Sequence, residues 1–447
     1  MKNLSLLFLT LVLCFSSTIN GQVNKVTVEK VGDKWTMFRN GEPYYIKGVG
    51  GQTELDKAVE IGANSIRTWG LDQLGEGILD EAHERGLTVM VGLWVGQERQ
   101  GFDYNDEVAV KKQFERFKRA VEQYKDHPAI LLWGVGNEVD LFYSNLKVWD
   151  AIQDIAAMIH EIDPNHPTAT VTAGLDSEEV SLVKEKAPDI DIYGVNTYGG
   201  LDGVTTQMRN AGWDGPYIIA EWGVDGHWEV DKTDFGIAVE QTSHQKANSF
   251  NERYTLIEND SLYCLGSYAF LWGAKQEHTS TWYGLFTPDG ESGEAVDVIQ
   301  RRWGTEPENR APVLKTIKLN GKAPLESVYI TAGDLAEVAI DVSDPDDDKM
   351  KFIWSVVAES TDKKAGGDAE KAPPTIPGTI KSNKGDKAII RAPMEEGQYR
   401  VFVFARDGQG QAGTANIPFY VLPRPKEAEQ ARSVEFKSVE LDIPARK

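Results

Sequence analysis

The sequence contains little cysteine and little histidine. Only two of its 447 residues are cysteine, and Cys14 lies in the amino-terminal apolar segment. If that segment is removed, Cys264 remains alone and an internal disulfide is excluded, which a chain of this size does not need. The seven histidines show no HExxH or similar paired spacing. The glycines at 48–51 lack the spacing of a dinucleotide loop. We therefore predict no metal site and no cofactor.

Excess basic charge and long hydrophobic runs are also missing. The formal net charge is −22, which disfavours nucleic acid and anionic lipid as partners. The longest apolar run, Leu4–Leu13, has about half the length that a transmembrane helix needs. With Lys2 before it and small residues after it, this run predicts a signal peptide over 1–21 and no transmembrane segment. We expect an exported protein, which is periplasmic, cell-surface or secreted. A lipoprotein anchor at Cys14 is disfavoured because Leu13 precedes it.

Strands and helices alternate eight times between Tyr44 and about Trp303. The predicted strands are almost continuously apolar, and the stretches between them have helical periodicity with charged faces. Eight such repeats over about 260 residues predict a (β/α)8 TIM barrel, with a doubly wound open sheet as the alternative. The predicted strands read YYIKGV, ANSIRTW, LTVMVGLW, AILLWGVG, TATVTA, DIYGVN, PYIIAEW and CLGSYAFLW.

Two further β regions flank the predicted barrel. A short N-terminal β-hairpin with an Asn40-Gly41 turn precedes it, so that the predicted barrel domain with this hairpin covers 22–305. Short alternating strands over 309–424 predict an immunoglobulin-like β-sandwich, which we interpret as a spacer or stabilising module. Its segment ESTDKKAGGDAEKAPPT reads as a polar loop, and the charged tail occupies 425–447. The acidic run Asp344–Asp348 fits a plain turn better than a calcium site, because the EF-hand glycine and glutamate are missing.

Six of the eight predicted strands end in groups that can hold a sugar. In a barrel of parallel strands, functional side chains gather at the carboxyl ends of the strands. The candidates are Arg67, Trp94, Asn137, Glu138, Asn196, Tyr198, Glu221, Trp222 and Trp272.

Each candidate residue, taken alone, could also have a purely structural role. A glutamate at a strand end often caps a helix or forms a surface ion pair, and tryptophan is usually a core residue. Trp69 is a second choice beside Trp94 and Trp272 for stacking on pyranose rings. The segment 276–278 after the last strand either rims the cleft or forms a surface loop.

The pattern of strand ends resembles glycoside hydrolases of clan A, which are retaining (β/α)8 glycosidases. In those families an Asn-Glu pair ends strand four and supplies the acid/base, as Asn137-Glu138 would here. A second glutamate, matched by Glu221, ends strand seven as the nucleophile. The segment RNGEPYYIKGV resembles the entry to the family 2 catalytic barrel. No jelly-roll and sandwich domains precede this barrel, so family 2 substrate preferences are not carried over.

The expected chemistry assigns a different role to each carboxyl group. Glu221 must be ionised to attack the anomeric carbon, and Arg67 would lower its pKa, while Tyr198 could donate a hydrogen bond to it. Glu138 must be protonated, so burial and the nearby Glu221 charge should raise its pKa. Asn137 could bind the sugar 2-hydroxyl. Retention requires the two carboxyl groups to lie about 5–5.5 Å apart.

The sequence therefore predicts a secreted retaining β-glycoside hydrolase acting on a carbohydrate, with β-glucan or an oligosaccharide favoured. A transglycosylase using the same site is one alternative. A non-catalytic glycan-binding surface protein is another. Sugar, linkage, internal or terminal cleavage and oligomeric state depend on loop shapes and contacts that a sequence does not give.

Overall fold

The computed structural model describes residues 24–75 and 77–424, and within them eight parallel strands close into a barrel. The predicted leader 1–21 and tail 425–447 lie outside the described residues. The strands follow chain order around the barrel, and the last strand, β11, pairs with the first, β4, to close it. The predicted TIM barrel is confirmed and the open sheet is excluded. The barrel strands are β4 (Ile46–Gly50), β5 (Ser65–Arg67), β6 (Thr88–Leu93), β7 (Ile130–Asn137), β8 (Thr168–Ala173), β9 (Ile192–Asn196), β10 (Tyr217–Trp222) and β11 (Cys264–Ala269).

Helices connect the barrel strands and cover the outside of the barrel. The side chain of Asp106 caps one of them by accepting from the amides of Val108 and Ala109, both at 3.0 Å. The last helix ends at Gly304, whose φ of 105° suits a residue without a Cβ. Within the described residues, no helix combines the length and hydropathy needed to cross a membrane. The helices are α1 (Leu55–Glu60), α2 (Ile78–Glu84), α3 (Glu107–Tyr124), α4 (Lys147–Ile162), α5 (Ser177–Lys186), α6 (Val204–Asn210), α7 (Ser243–Asn259) and α8 (Glu294–Trp303).

A small antiparallel sheet covers the amino-terminal end of the barrel. It contains β1 (Val26–Val31), β2 (Lys34–Arg39) and β3 (Glu42–Tyr44), and the predicted hairpin with its Asn40-Gly41 turn is formed by β2 and β3. Two of its backbone amides donate to carbonyls that lie just before barrel strands. The Val26 amide donates to the Asn165 carbonyl, before β8, at 2.8 Å, and the Trp35 amide donates to the Leu262 carbonyl, before β11, at 2.7 Å. The opposite end of the barrel, where the strands finish, is therefore free to hold a site.

The carboxyl-terminal region is a β-sandwich of two four-stranded sheets around its own apolar core. This confirms the predicted sandwich, with one difference from an all-antiparallel arrangement. The short strand β13 pairs in parallel with β19. One sheet runs β12 (Val313–Leu319), β14 (Leu335–Ser343), β17 (Lys387–Arg391), β16 (Ile380–Asn383); the other runs β13 (Val328–Thr331), β19 (Ala412–Leu422), β18 (Gly397–Arg406), β15 (Lys351–Ala358).

A buried polar network joins the sandwich to the barrel. Glu240, only 4% exposed, accepts from Lys246 at 2.5 Å, from Thr279 at 2.6 Å and from Thr281 at 2.8 Å. Asn416 of β19 donates to the same carboxylate at 2.5 Å. A buried charge is tolerated only when its partners are in place, so these contacts fix one position of the sandwich on the barrel.

We expect Glu240→Ala to lower the free energy of unfolding by about 3–5 kcal/mol, because it leaves the buried Lys246 ammonium without its counter-ion. Urea unfolding followed by circular dichroism measures the change. Glu60→Ala, which removes the exposed pair with Lys57, is the control and should change stability by about 0.5 kcal/mol or less. Equal effects of the two substitutions would contradict a structural role for this network.

Candidate active site

A cavity of about 860 Å³ opens at the carboxyl end of the barrel strands. It is large enough for a small oligosaccharide, since ligand pockets commonly measure about 300–1,000 Å³. Six of the nine predicted site residues line it: Trp94, Asn137, Glu138, Asn196, Tyr198 and Glu221. Arg67 lies against this group and contacts three of its members.

Glu221 lies at the end of β10 and is surrounded by hydrogen-bond donors. Its Oε1 accepts from Nη1 of Arg67 at 2.9 Å and from Nε1 of Trp69 at 2.8 Å. Its Oε2 accepts from the Tyr198 hydroxyl at 3.1 Å. Three donors, one of them a cation, stabilise a negative charge on this carboxylate and hold its orientation.

Arg67 is buried beneath the cavity, with 2% of its surface exposed. Beside Glu221, it donates to the side-chain oxygens of Asn137 and Asn196, the latter at 3.2 Å. It also donates to the Ala220 carbonyl at 2.7 Å. One guanidinium therefore connects the ends of β5, β7, β9 and β10, which its planar set of five donors makes possible.

Glu138 follows β7 in a left-handed backbone conformation, with φ of 48°. Such a conformation is costly for a residue other than glycine and is concentrated at functional sites. The Glu138 amide donates to the Val171 carbonyl at 2.8 Å, and Nε2 of Gln97 donates to the Asn137 carbonyl at 2.6 Å. These contacts hold the turn that directs the Glu138 side chain into the cavity.

The Glu138 carboxyl differs electrostatically from Glu221. Its Oε1 accepts from Nδ2 of Asn196 at 2.8 Å. Burial, followed by the negative charge of Glu221, raises the pKa of Glu138 to about 7. One carboxyl that holds a proton near neutral pH therefore faces the same cavity as a second carboxylate bound by a guanidinium. Such a pair can donate a proton and attack an electrophilic carbon in one step.

Trp222 and Trp272, which we predicted to bind substrate, do not line the cavity. Consecutive strand residues point to opposite faces, so Trp222 points away from the barrel interior when Glu221 points into it. It is fully buried and stacks on Tyr254 with ring centroids 5.6 Å apart. Trp272, 1% exposed, packs edge-on against Phe286 at 4.8 Å. Both are core residues, which corrects the prediction of a sugar contact.

Several aromatic residues of the cavity wall are not among the nine predicted site residues. Trp69, a second choice at the sequence level, could have been found by alternation, because it lies two residues after Arg67. Phe270 and Tyr283 also line the cavity. So do two exposed aromatic residues, Trp228 with 59% and Phe142 with 71% of the residue surface accessible to solvent. Trp228 and Phe142 lie in loops, so no strand or helix pattern identified them.

The charge of the lining is predominantly negative. Its described carboxyl groups are Glu138, Glu221, Glu229 and Glu277, and its described cation is Lys275. The Lys275 ammonium donates to Glu277 at 3.0 Å and to the Gly367 carbonyl. These contacts use two of the three N–H donors of the ammonium and pair its charge with Glu277.

The barrel matches a known family. Residues 66–230 match the model of the glycosyl hydrolases family 2, TIM barrel domain. That stretch contains Asn137-Glu138 and Glu221, two of the features on which the resemblance was based, whereas the third, the segment RNGEPYYIKGV at 39–49, lies before it. The resemblance of the barrel to the family 2 catalytic domain is thereby confirmed.

Solved structures share the fold at low sequence identity. The β-glucuronidase of Ruminococcus gnavus in complex with uronic deoxynojirimycin is 16% identical, with 63% of this chain and 52% of that chain covered and a TM-score of 0.51. An FMN-binding β-glucuronidase from Faecalibacterium prausnitzii L2-6 is 15% identical, with 90% of this chain and 60% of that chain covered and a TM-score of 0.50. This chain thus spans about half to three-fifths of the length of these two proteins.

We expect the Glu138 carboxyl to titrate near pH 7 in ¹³C-carboxyl NMR, and Glu221→Gln to lower that pKa because a like charge is removed. Asp140, two residues away, also has a pKa raised to about 7 by burial. Glu138→Gln and Asp140→Asn therefore assign the two resonances. A Glu138 carboxyl that titrates near its ordinary value of about 4.3 would contradict the acid role.

Proposed function

We propose that the protein is a secreted retaining β-glycoside hydrolase of a neutral glycan, with β-glucan or a β-linked oligosaccharide favoured. The proposal is supported above all by the two unlike carboxyl groups in one cavity. Glu221 is bound by Arg67, whereas Glu138 has a raised pKa. The match of the barrel to family 2 supports the same reaction class.

The reaction would proceed by double displacement. Glu221 attacks the anomeric carbon, and the bond to the leaving oxygen breaks as Glu138 gives that oxygen a proton. Glu138, now a carboxylate, takes a proton from water, and the resulting hydroxyl attacks the anomeric carbon and releases Glu221. The Asn137 side-chain oxygen accepts from Arg67 and Asn196. Its amide hydrogens are thereby directed to donate to the sugar 2-hydroxyl.

The charge of the cavity supports a neutral sugar. A uronate would add a carboxylate to a lining whose carboxyl groups outnumber its described cation, and that cation, Lys275, already contacts Glu277 and Gly367. The aromatic residues Trp94, Trp228 and Phe142 offer apolar faces, which suit the flat faces of β-linked pyranoses.

Export is a separate part of the proposal. It is supported by the leader-like segment 1–21, with its short apolar core and one preceding lysine. After expression of the full chain in a bacterial host, mass spectrometry of the exported fraction should find a mature amino terminus close to Gln22. Retention of Met1–Gly21 on a protein that stays inside the cell would overturn export.

Turnover of aryl β-glycosides and β-glucans should fall by roughly 10⁴-fold or more in Glu221→Ala, because the nucleophile is lost. Azide should restore release of the aryl group from this variant as a glycosyl azide of inverted configuration. Asp140→Asn, a nearby carboxyl outside the cavity lining, is the control and should remain active. Aryl β-glucuronide should be turned over more slowly than the best neutral aryl glycoside by the wild type.

The outcomes separate three possibilities. Retention measured by ¹H NMR, with azide rescue at Glu221, supports the hydrolase. No turnover of any substrate, with glycan binding undiminished in wild type and Glu221→Ala, would instead support a binding protein. Preference for the glucuronide would overturn only the neutral substrate.

A further inference from the structure

The two oxygens of the Glu221 carboxylate have different numbers of hydrogen-bond donors. Oε1 accepts from Nη1 of Arg67 at 2.9 Å and from the indole Nε1 of Trp69 at 2.8 Å. Oε2 accepts from the Tyr198 hydroxyl at 3.1 Å, and among the residues that the structure describes no second donor reaches it. Since each carboxylate oxygen has two lone pairs, Oε1 has both in use and Oε2 keeps one free.

The free lone pair identifies Oε2 as the oxygen that attacks. In the reaction proposed above, this lone pair forms the bond to the anomeric carbon while the bond from that carbon to the leaving oxygen breaks. The leaving oxygen takes the electron pair of the broken bond and the Glu138 proton. Oε1 then becomes the carbonyl oxygen of a neutral ester, the glycosyl-enzyme, and still faces Arg67 and Trp69.

The indole of Trp69 is held in place from several sides. The Trp69 amide donates to Oε1 of Gln73 at 2.6 Å. The guanidinium carbon of Arg67 lies 5.3 Å from the centre of the indole ring, and Phe270 packs edge-on against the ring at 6.0 Å. A Cβ added to Gly50 of β4 would lie 3.4 Å from the ring. The direction of the indole N–H is therefore fixed by its surroundings.

Trp69 and Arg67 differ in what else depends on them. Arg67 is 2% exposed and also binds two other side chains and a backbone carbonyl of the barrel, so its removal would disturb four strand ends. Within the described residues, Nε1 of Trp69 has one acceptor, which is Oε1 of Glu221. The indole N–H is thus a donor to this carboxylate that can be removed by itself.

We infer that the Trp69 N–H is a catalytic group for the second half of the reaction, in which it stabilises the Glu221 carboxylate as it leaves the glycosyl-enzyme. The inference rests on the proposed function, because it requires Glu221 to be the nucleophile. Hydrogen bonds to a charged acceptor are about twice as strong as those between neutral groups. The N–H therefore binds the free carboxylate more strongly than the ester carbonyl, which opposes formation of the ester and favours its hydrolysis.

The second step shows where this donor acts. The water oxygen attacks the anomeric carbon, its proton passes to Glu138, and the electron pair of the bond to Oε2 returns to Glu221. As that bond breaks, negative charge spreads from Oε2 onto Oε1. A donor already aimed at Oε1 meets this charge without reorganisation, which is how a fixed dipole lowers a barrier.

Trp69→Phe tests the inference because it keeps an aromatic ring in the cavity and removes the N–H. Its matched control is Trp94→Phe. Trp94 lines the same cavity, but its indole Nε1 donates to Gln100, at 3.2 Å, instead of to a catalytic carboxylate. A further protein has β-(3-benzothienyl)alanine at position 69, which replaces the N–H by sulfur and retains both rings.

The probe is 2,4-dinitrophenyl 2-deoxy-2-fluoro-β-glucoside, or the same derivative of the sugar that the wild type turns over best. Fluorine at C2 slows both steps by destabilising the oxocarbenium-like transition states. The rate constant for loss of activity then reports formation of the Glu221 ester, and the rate constant for recovery in fresh buffer reports its hydrolysis. Trp69→Phe should lower the ratio of recovery to loss roughly 10-fold, because the stronger binding of the charged form is removed. Trp94→Phe should leave this ratio unchanged.

Each failure has a distinct signature. A wild-type ratio in both proteins altered at position 69, or an equal fall in Trp94→Phe, would overturn the inference and leave the proposed function standing. Peptide mapping of the inactivated wild type should find the sugar on Glu221. Sugar on another residue, or neither inactivation nor turnover of any aryl glycoside, would sink the proposed function and the inference with it. If the thermal midpoint of Trp69→Phe is lowered, the benzothienyl protein decides the question.

Discussion

The site depends on one buried cation. Arg67 lies below the cavity with 2% of its surface exposed and joins the ends of four barrel strands through Glu221, Asn137, Asn196 and the Ala220 carbonyl. Two carboxyl groups in one desolvated cavity would repel each other and each would lack solvation. Of the two, only Glu221 contacts the Arg67 guanidinium, which lowers the cost of burying that carboxylate. Within the described residues Glu138 has no such contact with a cation, so the two carboxyl groups have different electrostatic surroundings.

That asymmetry comes from backbone geometry as much as from charge. Glu221 is the penultimate residue of β10 and its carboxylate contacts Arg67, whereas Glu138 lies one residue beyond β7 in a left-handed conformation and its carboxyl contacts Asn196. The amide of Asn196 is a weaker partner than a guanidinium, so burial and the Glu221 charge dominate and raise the pKa of Glu138. The two carboxyl groups therefore differ in their surroundings before any substrate binds.

The sandwich belongs to the same structural unit as the barrel. Buried ion pairs at Glu240–Lys246 and Glu359–Arg400 lie where the two domains meet, and each has a polar partner in the other domain. Leaving such charges unpaired would cost several kcal/mol, so the two domains hold a fixed relative position. A fixed position is what allows a sandwich loop to serve as a wall of a cavity in the barrel.

The sequence by itself determined the barrel, the sandwich and the pair Glu138 and Glu221, because strand periodicity and residues at strand ends are local patterns and strand ends converge in a barrel. It gave the wrong role for Trp222 and Trp272, since whether a tryptophan faces a cavity or the core depends on the face of the strand and on neighbouring helices. Only the tertiary structure decided that Gly366 and Gly367 line the cavity. Their position follows from contacts with Arg99 and Lys275, and contacts between residues so far apart in the chain leave no periodic signal in a sequence.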